Sequence, residues 1–160
     1  MAEEDSLAMV HIDLPNHWAI DGESLWAQHL EDDLYEIRNA PFHAYGVNWG
    51  DIVRAPADNE DQIPEVREVV KASGNKTVRV FFDSKLDQNE QGSILSSLQL
   101  LDLSWERCDD HYVALDVHPG ANYDAVWDKF WELKKEEILV FETCEARVLG
   151  GFDAAPTNDE

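Results

Sequence analysis

The sequence predicts an α+β fold, and two observations carry this prediction. In residues 9–75, apolar and polar residues alternate over short segments separated by turn signals, a pattern typical of antiparallel strands. In residues 76–147, similar strand patterns are interleaved with two segments of helical spacing. We therefore expect a first half that is a curled antiparallel sheet or a small barrel, and a second half of strands and helices packed on it.

The first half is expected to contain five strands. In chain order they cover residues 9–14, 24–30, 34–38, 51–55 and 65–72. The acidic segment 31–33 is the turn of a hairpin between the second and third strands. In the fifth strand, a period of two places Val66, Val70 and Ala72 on one face. Residues 1–8 form an acidic start that we expect to be flexible.

The second half alternates strands with helices. The expected elements are a strand at 76–82, a helix after Asp87, a hairpin of 103–108 and 111–117, a helix after Asn122, and a strand at 137–147. Glu90 stands three residues after Asp87, which is the pattern of a capping box. The apolar residues of both helices have the spacing of a buried face: Ile94, Leu95, Leu98 and Leu101, then Tyr123, Val126, Trp127, Phe130 and Leu133.

The order strand, helix, strand, strand, helix, strand is that of the split βαβ unit of ferredoxin-like folds. The pattern changes near Gly74 without a linker, so we expect the two halves to pack as one unit. With 160 residues, 44% of them hydrophobic, the chain can bury one core. Residues 148–160 are expected to be a flexible tail.

The strongest global signal is negative charge. The formal net charge is −22 at pH 7, and the pI is about 4.3. This charge excludes direct binding of nucleic acid, because phosphates are bound by lysine and arginine, and it disfavours an anionic membrane surface. It favours a basic protein partner, which long-range attraction would steer to the surface. Solubility alone, or the surface of a halophilic protein, would explain the same charge.

Location is indicated by three features of the sequence. No apolar run approaches the roughly 20 residues of a membrane span. The first residues carry neither the basic nor the apolar region of a secretory signal. Two cysteines, Cys108 and Cys144, are too few for a disulfide framework, and we expect both to be reduced thiols. These features indicate a cytoplasmic protein.

Two acidic clusters are candidate contact surfaces for a basic partner. Residues 1–37 contain no lysine or arginine, and the hairpin turn concentrates their acidic side chains in Glu31, Asp32 and Asp33. Along the second helix, acidic residues recur every four positions and form one stripe: Asp124, Asp128, Glu132 and Glu136. Because like charges at this spacing destabilise a helix by about 0.2–0.5 kcal/mol per pair, the stripe is either a solvated face or a docking face.

The segment 39–53, NAPFHAYGVNWGDIV, is dense in proline, glycine and aromatic residues. Its glycines predict a tight reversal, in which Asp51 bonds to backbone amides of the turn. We expect Phe42 and Tyr45 to be buried and Trp49 to lie near the surface, as a further candidate for partner contact. The segment is interpreted as a packed turn, with a pocket as the alternative; its candidate residues are Pro41, Phe42, His43, Tyr45, Gly46, Gly50 and Asp51.

Several short motifs recur together in this chain. They are Leu25-Trp26-Ala27, Leu34-Tyr35, the run NAPFHAYGV from Asn39, the run GDIVRA from Gly50, the run SGNKTVR from Ser73, and Tyr123-Asp124-x-Val126. Together they resemble a family of bacterial domains of unknown function marked by PF-x-AYG, GD-x-V and SG-x-x-T-x-R. The resemblance covers roughly residues 24–140 and implies no activity. An aromatic residue often stands in that family at the position of His43, which argues against a shared catalytic role.

No motif for metal binding or catalysis stands out. Cys108, His111 and His118 are close in sequence, but the second pair of ligands typical of a zinc site is missing unless Cys144 joins them. Nucleophile motifs and phosphate-binding loops are absent from the sequence. We therefore expect neither a metal nor a cofactor.

The sequence thus favours a non-catalytic acidic binding protein. Its sharper form is an immunity or inhibitor protein that neutralises a basic toxin, such as one that acts on nucleic acid. The alternative is a small-molecule-binding regulatory module with a pocket lined by Phe42, Tyr45 and Trp49. A third hypothesis is an enzyme that uses His43 and Asp51.

Overall fold

The computed structural model of the protein describes residues 7–15, 17, 20–145 and 152. These residues form two antiparallel sheets and two α-helices, which is the α+β class that the sequence predicts. Within the described residues, no helix is long and apolar enough to cross a bilayer.

The first half forms a five-stranded sheet in the order β1-β2-β3-β4-β5. The strands are β1 (Ala8–Asp13), β2 (Gly22–Glu31), β3 (Leu34–Ile37), β4 (Ile52–Arg54) and β5 (Glu68–Lys71). The sheet curls, which brings the segment before β5 next to β1. There the backbone amide of His11 donates to the Pro64 carbonyl, and the His11 carbonyl accepts from the Val66 amide, both at 2.8 Å. The contact between β1 and this segment is a single bridge and not a ladder, so the sheet does not close into a barrel. Of the two predicted forms of the first half, the curled sheet is confirmed.

The prediction that Val66, Val70 and Ala72 share one face of the fifth strand is wrong. Val69 packs towards the core, whereas Val70 is 47% exposed and Ala72 is also exposed. The ladder pairs Val53 with Val69 but Ile52 with Lys71, so Val70 is an extra residue on β5. Val70 directly follows Val69, which faces the core, and so points to the opposite face of the strand. Val66 is buried because it pairs with β1, outside this ladder.

The second half forms a four-stranded sheet in the order β7-β8-β6-β9, with every neighbouring pair antiparallel. Its elements are β6 (Lys76–Phe82), α1 (Gln88–Leu98), a 3₁₀ turn (Gln99–Leu101), β7 (Leu103–Arg107), β8 (Tyr112–Val117), α2 (Tyr123–Lys135) and β9 (Leu139–Thr143). This is the predicted split βαβ order, although β9 is shorter than expected.

Both helices begin as the sequence predicts. The Asp87 side chain accepts from the Glu90 amide at 2.8 Å, and the Glu90 side chain accepts from the Asp87 amide at 3.0 Å. The Asn122 side chain accepts from the Ala125 amide at 3.1 Å. The apolar faces of both helices pack on β6 and β8 in one core, although Leu101 lies in the 3₁₀ turn and not in α1.

The other face of the second sheet is covered by the first half. Val78 and Val80 on β6 face the helices, and Thr77 and Arg79, which alternate with them along the strand, are also buried. A strand that is buried on both faces needs cover on both sides, and here that cover includes the segment between β3 and β4. Residues 38–51, the β3–β4 loop, therefore lie between the two sheets.

Two predicted ends of the chain are only partly described. Residues 1–6 lie outside the described part, and Ala8 already belongs to β1. Within the expected tail, Phe152 is 8% exposed, packs with the core of the first half, and accepts at its carbonyl from the Tyr45 amide at 2.8 Å. The remaining residues of 148–160 lie outside the described part.

Candidate functional site

Arg79 is the centre of the contact between the two halves. Its side chain is fully buried, and Nη1 donates to the carbonyls of Pro41 at 3.2 Å and Ala44 at 2.9 Å. Nε donates to Glu142 on β9 at 3.0 Å. Burial by itself lowers the pKa of Arg79, but the acidic groups around it outweigh this effect and hold the pKa above its ordinary value. The guanidinium is therefore a permanent positive charge under the β3–β4 loop.

Glu23 on β2 holds the same loop from the other side. Its buried carboxylate accepts from three consecutive backbone amides, those of Phe42 at 2.6 Å, His43 at 3.0 Å and Ala44 at 2.9 Å. Successive amides that converge in this way form an anion-binding concavity. In this protein the concavity is filled by the chain's own carboxylate.

Asp51 has the structural role that the sequence predicts. Its carboxylate accepts from the amides of Asn48 and Ser73, each at 2.8 Å. Burial raises the pKa of Asp51, and these hydrogen bonds offset part of that rise. Asp51 thus joins the end of the β3–β4 loop to the turn that leads into β6.

The two glycines of the loop adopt the predicted conformation. Gly46 has φ 78° and Gly50 has φ 87°, both in the region that favours glycine. A Cβ atom on Gly50 would lie 3.0 Å from Cβ of Ser73. The Gly46 amide donates to the Cys144 carbonyl at 2.6 Å, which ties the reversal to the chain just after β9.

His43 lies in a partly exposed group of rings and not beside Asp51. Its ring centroid is 6.0 Å from that of Tyr112 and 5.7 Å from that of His17. Burial is the main cause that lowers the pKa of His43; the carboxylate of Glu23 opposes this effect, and the charge of Arg79 adds to it. His43 contacts the rings of Tyr112 and His17, whereas Asp51 bonds to Asn48 and Ser73, so the two residues of the enzyme hypothesis make no hydrogen bond to each other in the described part of the chain.

Tyr112 completes this group of rings. Its hydroxyl donates to the Phe42 carbonyl, and its ring stacks on that of Phe81 at 4.2 Å. Burial raises the pKa of Tyr112, so the hydroxyl remains a donor at neutral pH. Phe42 itself is only half-buried, whereas Tyr45 is fully buried as expected.

The hairpin turn of β2 and β3 forms one wall of an acidic groove of about 440 Å³. Asp32 and Asp33 line one side, and the loop after β4 lines the other. The Ala55 amide donates to the Asp33 carbonyl at 2.7 Å, which holds the two walls together. The residues that line the groove include no lysine, arginine or histidine: Asp32, Asp33, Tyr35, Ala55, Pro56, Ala57, Asn59 and Glu60.

The acidic stripe on α2 is exposed over its whole length, as expected for Asp124, Asp128, Glu132 and Glu136. Its charge is partly balanced on the same helix. Lys129 lies 3.8 Å from Glu132, and Lys134 and Lys135 occupy the last turn. The stripe is therefore a weaker negative surface than the groove.

Trp49 is separated from Phe42 and Tyr45. It lines a pocket of about 240 Å³ together with Ala40, Ser104, Trp105, Glu106 and Asp116. Phe42 instead contacts Tyr112, and Tyr45 lies under the guanidinium of Arg79. The aromatic pocket proposed for a small molecule is thus divided between two places.

Sequence reasoning missed the charged residues that hold the loop: Glu23, Arg79, Glu106 and Glu142. Two of them, Glu23 and Arg79, could have been recognised from the sequence pattern. Glu23 lies on the same face of β2 as the buried residues Leu25 and Ala27, and Arg79 is a charged residue within an otherwise apolar strand. A charged residue on a core face indicates a buried partner.

No metal site is formed in the part of the chain that the structure describes, where no three His, Cys, Asp or Glu side chains converge on one point. His118 instead bonds to Asp102 at 2.9 Å. Cys108 is an exposed thiol and Cys144 a buried one. Burial raises the pKa of both thiols, so neither is an activated nucleophile.

Comparison with known proteins identifies relatives but no activity. The family described as "Domain of unknown function (DUF4265)" matches residues 23–141. No curated protein matches the sequence. Among solved structures, the chain is similar to a crystal structure of a hypothetical protein from Neisseria gonorrhoeae, with a TM-score of 0.72 and 16% identity over 88% of this chain and 95% of the other. This similarity concerns the fold alone.

Proposed function

Because the chain belongs to the DUF4265 family of domains of unknown function, we propose its function from its own surface: it is a non-catalytic binding protein for a basic protein. The observation that carries this proposal is the acidic groove. Two segments far apart in sequence, the turn after β2 and the loop after β4, meet there, and Asp32, Asp33 and Glu60 line one cavity. Such a field attracts a cationic surface and raises the rate of encounter.

The partner class that fits best is a toxin that acts on nucleic acid. Proteins that bind phosphate backbones present clusters of lysine and arginine. An acidic protein that covers such a cluster blocks access of the nucleic acid by charge and by volume. The protein would then be the immunity or inhibitor component of the pair. Its exposed thiol at Cys108 suits the reducing cytoplasm, where we place it.

The experiment has two stages. The wild type and a groove variant, Glu31→Lys/Asp32→Lys/Asp33→Lys, are immobilised and exposed to lysate of the source organism. A helix variant, Asp124→Lys/Asp128→Lys/Glu132→Lys, is the matched control, because it changes the net charge by the same amount. We expect the wild type and the helix variant to retain a basic protein that the groove variant loses.

The retained protein is then assayed for activity on nucleic acid. The proposal expects full inhibition by one equivalent of the wild type, and little inhibition by the groove variant. Equal inhibition by both proteins would exclude the groove as the contact surface. A retained protein that keeps its activity in the complex would exclude the inhibitor role.

A further inference from the structure

The pocket beside Trp49 contains two carboxylates that lack a strong cationic partner. Glu106 on β7 and Asp116 on β8 lie on the face of the sheet that meets the first half. Among the described residues, neither carboxylate pairs with a lysine or arginine, and the imidazole of His118 is 3.5 Å from Asp116. Two like charges in a partly dry pocket repel each other, and a cation between them would relieve that repulsion.

The two carboxylates differ in how they are held. Asp116 is 6% exposed, and both of its oxygens accept from the side-chain amide of Asn75, at 2.9 and 3.0 Å. In Glu106, Oε2 accepts from the Ala40 amide at 2.6 Å, while Oε1 has no hydrogen-bond partner in the described part of the chain. An acceptor is therefore left over at the pocket.

The remaining features of the pocket suit an organic cation. Trp49 lines one side, and indole is the aromatic ring that attracts cations most strongly. Arg38 already lies 5.6 Å from the centroid of this ring, although it does not line the pocket and is paired with Glu36. The volume of about 240 Å³ is below the roughly 300–1,000 Å³ of pockets for drug-sized ligands, so it suits a single side chain.

We infer that this pocket binds an alkylammonium or guanidinium group, with Glu106 and Asp116 as the counter-charge and Trp49 as the aromatic wall. The assignment of that group to a lysine or arginine side chain of the partner rests on the proposed function, whereas the binding of the cation does not. Burial and the neighbouring charge of Asp116 raise the pKa of Glu106, and burial raises the pKa of Asp116, as expected of carboxylates that a cation would stabilise.

The test uses n-butylguanidinium as the probe and neutral n-butylurea as its uncharged counterpart. Binding is followed by the indole N–H signal of Trp49 in two-dimensional NMR spectra, with the signals of Trp127 and Trp131 on α2 as internal controls. We expect a saturable shift of the Trp49 signal with the cation and none with the urea. An equal shift with both compounds, or no saturable shift with the cation, would overturn the inference.

Two variants locate the site. Glu106→Gln/Asp116→Asn removes both charges but keeps acceptors for Ala40 and Asn75, and should weaken binding of butylguanidinium by about tenfold or more. Glu31→Gln/Asp32→Asn removes the same charge from the 31–33 turn and should leave the affinity for butylguanidinium unchanged. Equal affinity in both variants would contradict the site, and Trp49→Leu provides a second test if the first variant does not fold.

A capped peptide, acetyl-Gly-Arg-Gly-amide, distinguishes the two sources of the cation. Binding of both the peptide and butylguanidinium supports a side chain of a partner as the natural occupant. Binding of butylguanidinium without the peptide keeps the cation site but overturns its assignment to a protein partner. Because neither probe needs the acidic groove, this outcome is independent of the proposed function.

Discussion

The guanidinium of Arg79 lies 4.7 Å from the ring centroid of Tyr45, and both side chains are fully buried between the two sheets. Glu142 connects them, since it accepts from Nε of Arg79 at 3.0 Å and from the Tyr45 hydroxyl at 2.9 Å. The β3–β4 loop is thus held by a charged cluster from the second half. This cluster stabilises the contact between the two halves, on which the pocket beside Trp49 depends.

Loss of Arg79 should destabilise the whole protein. Arg79→Met leaves Glu142 and two loop carbonyls without their donor, and we expect a loss of about 3–5 kcal/mol in the free energy of unfolding, measured by denaturant titration. Arg67→Met is the control, because Arg67 and Glu65 form an exposed pair worth about 1 kcal/mol or less. Similar losses for both variants would contradict the central position of Arg79.

Glu23 should control the local stability of the loop. In Glu23→Gln, one side-chain oxygen becomes an amide donor and cannot accept, so at least one of the three backbone bonds is lost, at about 1.5–3 kcal/mol. Hydrogen exchange of the amides of residues 42–44 should become faster before global unfolding. Exchange at the wild-type rate would show that the carboxylate does not hold these amides in solution.

Gly46 should not tolerate a side chain, and Gly92 should. At the φ of 78° at Gly46, Gly46→Val is expected to lose about 1–3 kcal/mol in the free energy of unfolding. Gly92 lies within α1, and a Cβ there meets nothing within 4 Å, so Gly92→Ala should gain up to about 1 kcal/mol. An unchanged melting temperature for Gly46→Val would contradict the positive φ.

The carboxylate of Glu106 should reduce stability at high pH. Its folded-state pKa is raised by burial, so the folded state takes up a proton before the unfolded state as the pH falls. Its ionised form therefore opposes folding above that pH, and Glu106→Gln removes this effect. The free energy of unfolding of Glu106→Gln minus that of the wild type should therefore be larger at about pH 8 than at about pH 4.

Thermal unfolding at both pH values checks this prediction. Glu60→Gln removes the same charge from an exposed loop and reports the effect of net charge alone. A difference between Glu106→Gln and the wild type that stays constant with pH would show that burial does not disturb this group.

Local signals in the sequence were sufficient for much of the fold. The Asp87–Glu90 capping box, the two helical faces and the strand order of the second half need only neighbouring residues to be recognised. Gly46, Gly50 and Asp51 were likewise predictable, because turn chemistry acts within a few residues.

Features that depend on distant residues were not predictable. Val70 faces outwards because Val69 faces the core, whereas Val66 is buried by a separate contact with β1 that no local pattern marks. Glu23 and Arg79 are buried because the two halves of the chain cover each other. The second strand was expected to begin only at residue 24, so Glu23 lay outside it, and no neighbouring residue marks the partners of Arg79. The groove also depends on tertiary structure, since its walls are separated by more than twenty residues in the chain.

The most direct measurement is the association rate of the partner with the two triple reversals, recorded by stopped flow at low and high salt. If the groove binds the partner, Glu31→Lys/Asp32→Lys/Asp33→Lys should slow association by about tenfold or more, and the α2 reversal clearly less. Because the Debye length falls from about 30 Å at 0.01 M to about 3 Å at 1 M salt, the difference should largely vanish at high salt. Equal rates for both variants at low salt would contradict the account, and the net charge of −22 would then serve solubility alone.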